Sequence, residues 1–235
     1  MRRRRQFTGT SAAMEVSSIS SSTDVSSSNA DLNALIGTND RYTDNALNGI
    51  VRISMNGGYG TRFVVDEHTI ATATHCVYTH SSGSDSDTYI TGIRFYDDSG
   101  ELEKVIYDPV EYHVPYYYIT AVLRDSNENQ RKYDYALITV EDDLSNYMCF
   151  NLGTVLDDFI SSDTLVYVTG YLDTTRKTGE GNAISEEEIS SLYSKANTSF
   201  TLFYDCDTEG GTSGGPVYIK TSFRGQNILY SNWYS

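Results

Sequence analysis

The chain has 235 residues, enough for one two-lobed domain or two small ones, and carries 32 Asp and Glu against 17 Lys and Arg. Its net charge of −15 argues against nucleic acid or an anionic membrane surface as a partner, because both select for basic patches. No run of the sequence approaches the roughly 20 apolar residues of a membrane-spanning helix. Twenty tyrosines, together with valine, isoleucine and threonine, favour pleated surfaces and therefore a β-rich fold.

The N-terminal region, residues 1–34, differs in composition from the rest of the chain. A basic cluster, Arg2 to Arg5, is followed by a serine-rich stretch. It has no apolar core of the length that a secretory signal needs. We therefore expect this region to be disordered or to be a pro-segment.

Downstream, short β-rich segments alternate with Gly, Asp and Ser turns, which is typical of a barrel or sandwich. A capping box, Ser185 with Glu188, and one apolar face predict a helix over residues 185–196. The predicted strands are residues 50–55, 61–65, 69–72, 90–96, 102–107, 135–140, 164–169 and 199–204.

Ser213 lies among four glycines in residues 207–218, D-T-E-G-G-T-S-G-G-P-V-Y. A glycine-rich loop lets backbone N–H groups converge on one point, where they can stabilise an oxyanion beside the serine hydroxyl. The alternative is a glycine-rich hairpin turn that happens to contain a serine.

Two stretches upstream carry the other groups that a serine nucleophile needs. His75 follows a predicted strand in residues 71–78, A-T-A-T-H-C-V-Y, and Asp134 precedes another in residues 132–140, K-Y-D-Y-A-L-I-T-V. A base activates the serine, and an acid orients the base and stabilises its charged form. Each residue also has a plainer interpretation, a surface or core histidine and a turn aspartate.

The order of the three residues decides between two hydrolase frameworks. Residues 211–215, G-T-S-G-G, match the nucleophile elbow G-x-S-x-G, but that fold requires serine, then acid, then histidine. No histidine follows His113, so the elbow is excluded. The order His75, Asp134, Ser213 is that of chymotrypsin-like proteases.

The segments T-A-T-H-C-V-Y, D-Y-A-L-I and D-T-x-G-G-x-S-G-G-P resemble the three catalytic blocks of chymotrypsin-fold serine endopeptidases. The greatest likeness is to the bacterial glutamyl endopeptidase branch. Residues 36–41, I-G-T-N-D-R, are similar to the mature N-terminal segment of that branch, and residues 168–171, V-T-G-Y, to one of its strand ends. The resemblance covers roughly residues 35–220.

The resemblance implies an all-β fold of two six-stranded antiparallel barrels. The first barrel would span residues 35–145 with His75 and Asp134, and the second would span residues 146–235 with Ser213. Only 22 residues follow Ser213, so we expect the second barrel to be incomplete at its C-terminal end, or residues 226–235 to replace a strand. The implied location is secreted or cell-surface, with a monomer and protein or peptide substrates.

The resemblance also implies the roles of the site residues. His75 would take the proton of Ser213 as it attacks a peptide carbonyl, Asp134 would orient His75, and an acyl-enzyme would form. Backbone N–H groups of Gly211 and Ser213 would hold the oxyanion, and Thr208 and Gly210 would contact the substrate.

Two departures from the resemblance concern activation and specificity. Thr212 stands where animal digestive relatives carry an aspartate that pairs with a freed N-terminal amine, so that activation route is excluded. Removal of a pro-segment near Leu35 remains an expectation. Thr208 matches a threonine linked to glutamate preference, but the accompanying histidine is missing. The preferred P1 residue therefore stays open. Two alternative functions also stay open: a catalytically impaired homologue that binds proteins, and an esterase on the same fold.

Neither a disulfide framework nor a metal site is predicted. Three cysteines, Cys76, Cys149 and Cys206, do not make a disulfide framework, although Cys76 could pair with either of the others. The histidines His75, His80 and His113 have no compact ligand spacing, so we expect no metal and no cofactor.

Overall fold

The computed structural model describes residues 39–43, 47–55, 58–78, 90–97, 99–107, 109–123, 132–152, 164–172, 174–184, 203–223 and 226–232. The predicted N-terminal region, residues 1–34, and the predicted helix over residues 185–196 lie outside these ranges. Within them the chain is mostly β, and the described strands form two sheets. The all-β prediction is confirmed.

The first sheet has seven antiparallel strands in the order β5-β4-β1-β2-β3-β7-β6. Six of them correspond to the predicted strands. The seventh, β6, was not predicted, because three residues are too short to show an alternating pattern. The strands are β1 (Ile50–Met55), β2 (Gly58–Asp66), β3 (Thr69–Thr72), β4 (Ile90–Tyr96), β5 (Leu102–Ile106), β6 (Glu111–His113) and β7 (Ala136–Thr139).

The second sheet has six strands in the order β11-β10-β9-β12-β13-β8. Its pairs are antiparallel except that β13 runs parallel to β8, the two-residue strand at the edge. Residues 226–232, considered above as a replacement strand, form β13 and pair with β12 along its whole length. The strands are β8 (Asn151–Leu152), β9 (Leu165–Leu172), β10 (Thr175–Ile184), β11 (Phe203–Tyr204), β12 (Val217–Phe223) and β13 (Gln226–Asn232).

The two sheets differ in how much apolar material they bury. A large cluster fills the first sheet, and a smaller one lies on the described part of the second. The first includes Val51, Ile53, Val64, Ile70, Ile93, Phe95, Ile138 and Leu144, and the second consists of Val166, Val168, Ala183, Cys206 and Val217. Burial of branched and aromatic side chains is the main favourable term in folding, so within the described residues the first sheet contributes more of this term than the second.

A third cluster joins the sheets and is rich in aromatic rings. Two hydrogen bonds reinforce it: Arg176 Nη1 donates to the carbonyl oxygen of Leu47 (2.6 Å), and the Tyr171 hydroxyl donates to that of Ile50 (3.2 Å). These contacts fix one sheet against the other, so that loops from both meet at their junction. The cluster comprises Leu47, Ile50, Phe63, Ala71, Tyr96, Phe150, Tyr167, Tyr171 and Tyr218.

One α-helix, α1 (Tyr116–Leu123), lies between β6 and β7 in the described chain. It begins directly after Pro115, whose carbonyl oxygen accepts hydrogen bonds from the backbone N–H groups of Tyr118 and Ile119 (3.0 and 3.4 Å). None of the helical residues that the structure describes forms a helix long and apolar enough to cross a membrane.

Candidate active site at the junction of the sheets

Strand register brings His75 and Asp134 together. β3 pairs antiparallel with β7, with Thr72 opposite Ala136. Just beyond the strand ends, Thr74 Oγ1 donates to the carbonyl oxygen of Tyr135 at 2.6 Å, so the two segments stay side by side next to Asp134. A single 3₁₀ turn, Thr74–Cys76, then presents His75 beside that carboxylate. The juxtaposition therefore follows from regular pairing plus one short turn.

The carboxylate of Asp134 receives two hydrogen bonds from His75. Oδ1 accepts from the His75 backbone N–H at 2.8 Å, and Oδ2 lies 2.6 Å from Nδ1. An ionised carboxylate can only accept, so Nδ1 carries a proton and the neutral ring has its lone pair on Nε2. The side chain of Asp134 is 8% exposed and that of His75 is 40% exposed. The acid is thus enclosed while the ring still reaches solvent.

The pKa of His75 is raised well above its usual value near 6.5. Burial of the imidazole opposes its protonation, but the neighbouring Cys76 and the carboxylate of Asp134 outweigh that effect. The arrangement therefore stabilises an imidazolium, the species that forms when a histidine accepts a proton.

Two glycines with left-handed backbones fit the Ser213 loop into the junction. Gly211 has φ +96° and Gly214 has φ +78°. A Cβ on Gly214 would lie 2.3 Å from Thr72 Oγ1 and 2.6 Å from the carbonyl oxygen of Thr61, and one on Gly211 would lie 2.3 Å from the ring of Tyr59. Only glycine allows both the conformation and the close approach.

Ser213 lies beside the segment that carries His75. Its carbonyl oxygen accepts the backbone N–H of Thr61 at 2.9 Å and lies 3.7 Å from Sγ of Cys76, the residue after His75. Ser213 itself is exposed to solvent. The structure thus brings together the loop of Ser213 and the turn of His75, which are far apart in sequence.

The predicted oxyanion donors are in the same loop. Among the described residues, no group accepts a hydrogen bond from the backbone N–H of Gly211 or Ser213. Gly210 is exposed, with no atom within 4 Å of the position that a Cβ would occupy, and Thr208 is half-buried. Both lie on the approach to the loop, where the sequence predicted substrate contacts.

Three supporting residues were missed by the sequence reasoning. Thr61 donates from Oγ1 to the carbonyl oxygen of Gly211 (2.7 Å) and accepts the N–H of Tyr171 (2.8 Å), so it ties the loop to both sheets. The buried Arg62 donates to the carbonyl oxygen of Cys76 (3.2 Å), and burial lowers its pKa to about 9. Tyr118 of α1 is buried, and burial raises its pKa, with Asp134 adding to the effect. The sequence shows only that Thr61 and Arg62 belong to an alternating strand pattern and that Tyr118 belongs to a tyrosine-rich run, and neither pattern indicates a contact with the site.

The cysteines and the metal prediction can be compared with the described residues. Cys76 and Cys206 are buried and Cys149 is exposed, and all three are free thiols. In the parts of the chain that the structure covers, no group of three or more His, Cys, Asp or Glu side chains is arranged to hold a metal ion.

Comparisons with known proteins agree with this architecture. The model of the trypsin-like peptidase domain matches residues 60–222. The chain is 27% identical over 224 residues to a glutamyl endopeptidase of Bacillus licheniformis, covering 93% of this chain and 65% of the relative, so it spans about two thirds of that protein's length. A solved structure of a Glu endopeptidase in complex with MPD superposes with a TM-score of 0.55 at 17% identity, covering 84% of this chain and 93% of the other.

These likenesses identify the two sheets as the two lobes of a chymotrypsin-like fold, as predicted. Since the domain model matches well over half of the chain, the protein belongs to the trypsin-like peptidase family.

Proposed function

We propose that this protein is a serine endopeptidase that acts through His75, Asp134 and Ser213. The observation that carries the proposal is the pair of hydrogen bonds that His75 donates to the carboxylate of Asp134, from Nδ1 at 2.6 Å and from the backbone N–H at 2.8 Å. It selects the tautomer with a basic Nε2 and supports the imidazolium that forms when Nε2 takes a proton.

The reaction would proceed by acyl transfer. Nε2 of His75 removes the hydroxyl proton of Ser213 as Oγ attacks the carbonyl carbon of a peptide, and the N–H groups of Gly211 and Ser213 donate to the resulting oxyanion. The imidazolium then gives its proton to the leaving amine. Water, activated by the same histidine, releases the acid and restores Ser213.

Labelling and hydrolysis together test the assignment. A fluorophosphonate probe is expected to label the native protein but not Ser213→Ala, and peptide hydrolysis should fall by about 10⁶-fold in that variant. A Ser145→Ala variant, altered at an exposed serine of the segment that follows β7, serves as the control. A native protein that binds peptides without labelling or cleaving them would instead support an impaired, protein-binding homologue.

We propose further that the enzyme prefers glutamate at P1. Support comes from Thr208 and from the resemblance to glutamyl endopeptidases. The histidine that accompanies this threonine in that branch is missing, because no histidine follows His113 in the sequence. Peptides that differ only in having Glu, Gln, Asp or Ala at P1 would decide it. Equal kcat/KM for Glu and Ala would remove the preference and leave the peptidase assignment intact.

We also infer that the protein works outside the cell after loss of an N-terminal segment. Both inferences rest on the resemblance of residues 36–41 to a mature N-terminal segment. Active protein recovered from culture medium should begin between Ala34 and Gly37. Active protein that retains Met1 would contradict the processing.

A further inference from the structure

The segment before the first sheet contacts the Ser213 loop through one buried arginine. Arg41 Nη2 donates to the carboxylate of Glu209, although the two residues are 168 positions apart in the chain. The side chain of Arg41 is only 4% exposed and that of Glu209 is 36% exposed. A guanidinium removed from water to this extent needs a carboxylate partner, so the contact is more than a surface ion pair.

The segment that carries Arg41 is itself held in place. Tyr42 exchanges two backbone hydrogen bonds with Thr178 of β10, at 3.0 and 2.8 Å. Asn39 Oδ1 accepts from the backbone N–H and from Nε of Arg41, at 3.3 and 3.0 Å. The arginine is therefore presented to the loop from a fixed point on the second sheet.

Glu209 closes the turn that leads to Ser213. Its carbonyl oxygen accepts the backbone N–H of Thr212 at 3.0 Å, and its own N–H donates to Thr212 Oγ1 at 3.4 Å. The other side of the turn is held by Thr61 at the carbonyl oxygen of Gly211. The contact between the side chains of Glu209 and Arg41 thus fixes the other end of the turn, next to the exposed Gly210.

We propose that Arg41 is a positioning residue for the oxyanion turn, residues 209–213, and acts through the carboxylate of Glu209. The pair supplies a charged link between the N-terminal segment and the nucleophile loop in a chain where Thr212 cannot form one. This inference rests on the proposed function for its catalytic consequence, because the turn carries both proposed oxyanion donors.

The variants Arg41→Met and Glu209→Gln test the proposal. Methionine keeps an unbranched apolar stem and removes the donors, so the turn loses its anchor. Misplaced oxyanion donors act on the transition state rather than on substrate binding. We expect kcat to fall about 10-fold to 100-fold while KM changes less than about twofold. The double variant should be no worse than Arg41→Met, because the two residues act as one unit.

Lys177→Met is the matched control. Lys177 Nζ donates to Thr43 Oγ1 at 3.0 Å, so this variant removes another polar contact of the same N-terminal segment without touching the turn. It should keep the native kcat. Arg41→Lys, which retains the charge, should recover part of the loss.

Amide hydrogen exchange separates this proposal from the proposed function. Measured in a Ser213→Ala background, Arg41→Met should accelerate exchange of the Glu209 and Thr212 amides, which donate the hydrogen bonds within the turn, and leave β9 and β12 unchanged. A native exchange rate in the turn together with a native kcat in Arg41→Met would overturn the positioning role. Faster exchange throughout the second sheet would also overturn it, because the effect would then not be confined to the turn. Peptide hydrolysis that survives Ser213→Ala would overturn the peptidase assignment instead, and the exchange result would still decide the role of Arg41.

Discussion

The two halves of the candidate site are built in different ways. His75 and Asp134 are brought together by the regular register of β3 and β7 at the end of a large apolar core. Ser213 lies in an irregular loop whose path depends on left-handed glycines and on hydrogen bonds from the opposite sheet. The proposed base and acid are therefore held by repetitive structure, whereas the proposed nucleophile is held by individual contacts that single substitutions can remove.

Asp134→Asn should have the largest effect on the base-and-acid half. An asparagine keeps the shape but can donate to Nδ1, which favours the wrong tautomer, so kcat should fall by about 10⁴-fold. Below the raised pKa of His75 the fold should also lose the stability that the imidazolium gains from the Asp134 carboxylate. Kinetics on a peptide substrate and a thermal melt would measure both. Asp97→Asn, at an exposed turn aspartate of the first sheet, is the control and should leave kcat unchanged. A loss of less than tenfold in Asp134→Asn would argue against its proposed role.

Gly214→Ala should have the largest structural effect on the nucleophile half. It combines a left-handed backbone with overlap of Cβ on Thr72 and Thr61, so we expect a loss of about 3 kcal/mol in the free energy of unfolding and loss of activity. Gly100→Ala isolates the backbone cost, since Gly100 has φ +85° with no atom near its Cβ position, and should cost about 1 kcal/mol. Equal losses of unfolding free energy for the two variants in urea would show that the close packing around Gly214 contributes nothing to the cost.

The pH profile should reveal the base. In the proposed mechanism the neutral imidazole of His75 is the active form, so kcat/KM should rise about tenfold per pH unit and level off only above the raised pKa of His75. The free energy of unfolding should change with pH in the opposite direction. The interaction with Asp134 stabilises the fold while His75 is protonated, and this contribution is lost as pH rises through the raised pKa. NMR titration of His75 in Ser213→Ala would measure that pKa directly. A midpoint at or below 6.5 would contradict the expectation.

Matched core truncations should give the smallest difference between the halves. Val64 and Val166 are both fully buried, one in each sheet. We expect Val64→Ala to cost about 2 kcal/mol and Val166→Ala about 1 kcal/mol, because the cavity in the fuller core has less room to relax. Urea unfolding of the two variants would compare them. A larger cost for Val166→Ala would show that the smaller cluster is the more tightly packed.

The strands and the His75–Asp134 half were open to prediction because they depend on local patterns. Alternation and turn residues locate the strands, and antiparallel pairing then brings the strand ends together. Helix α1 was missed because its tyrosine-rich start favours a strand, although Pro115 is a helix-start signal. The Arg41–Glu209 contact could not be predicted, since no local pattern relates two charges 168 residues apart.

The cluster that joins the sheets has a consequence for partial denaturation. Proton transfer between groups on different sheets tolerates only a small change in their separation, whereas backbone pairing within each sheet does not depend on the other sheet. Modest pressure or low urea that loosens the aromatic contact between Tyr171 and Tyr96 would therefore silence turnover while circular dichroism still reports intact strands. An activity assay would then be more sensitive to the contact between the two sheets than any spectroscopic measure of secondary structure.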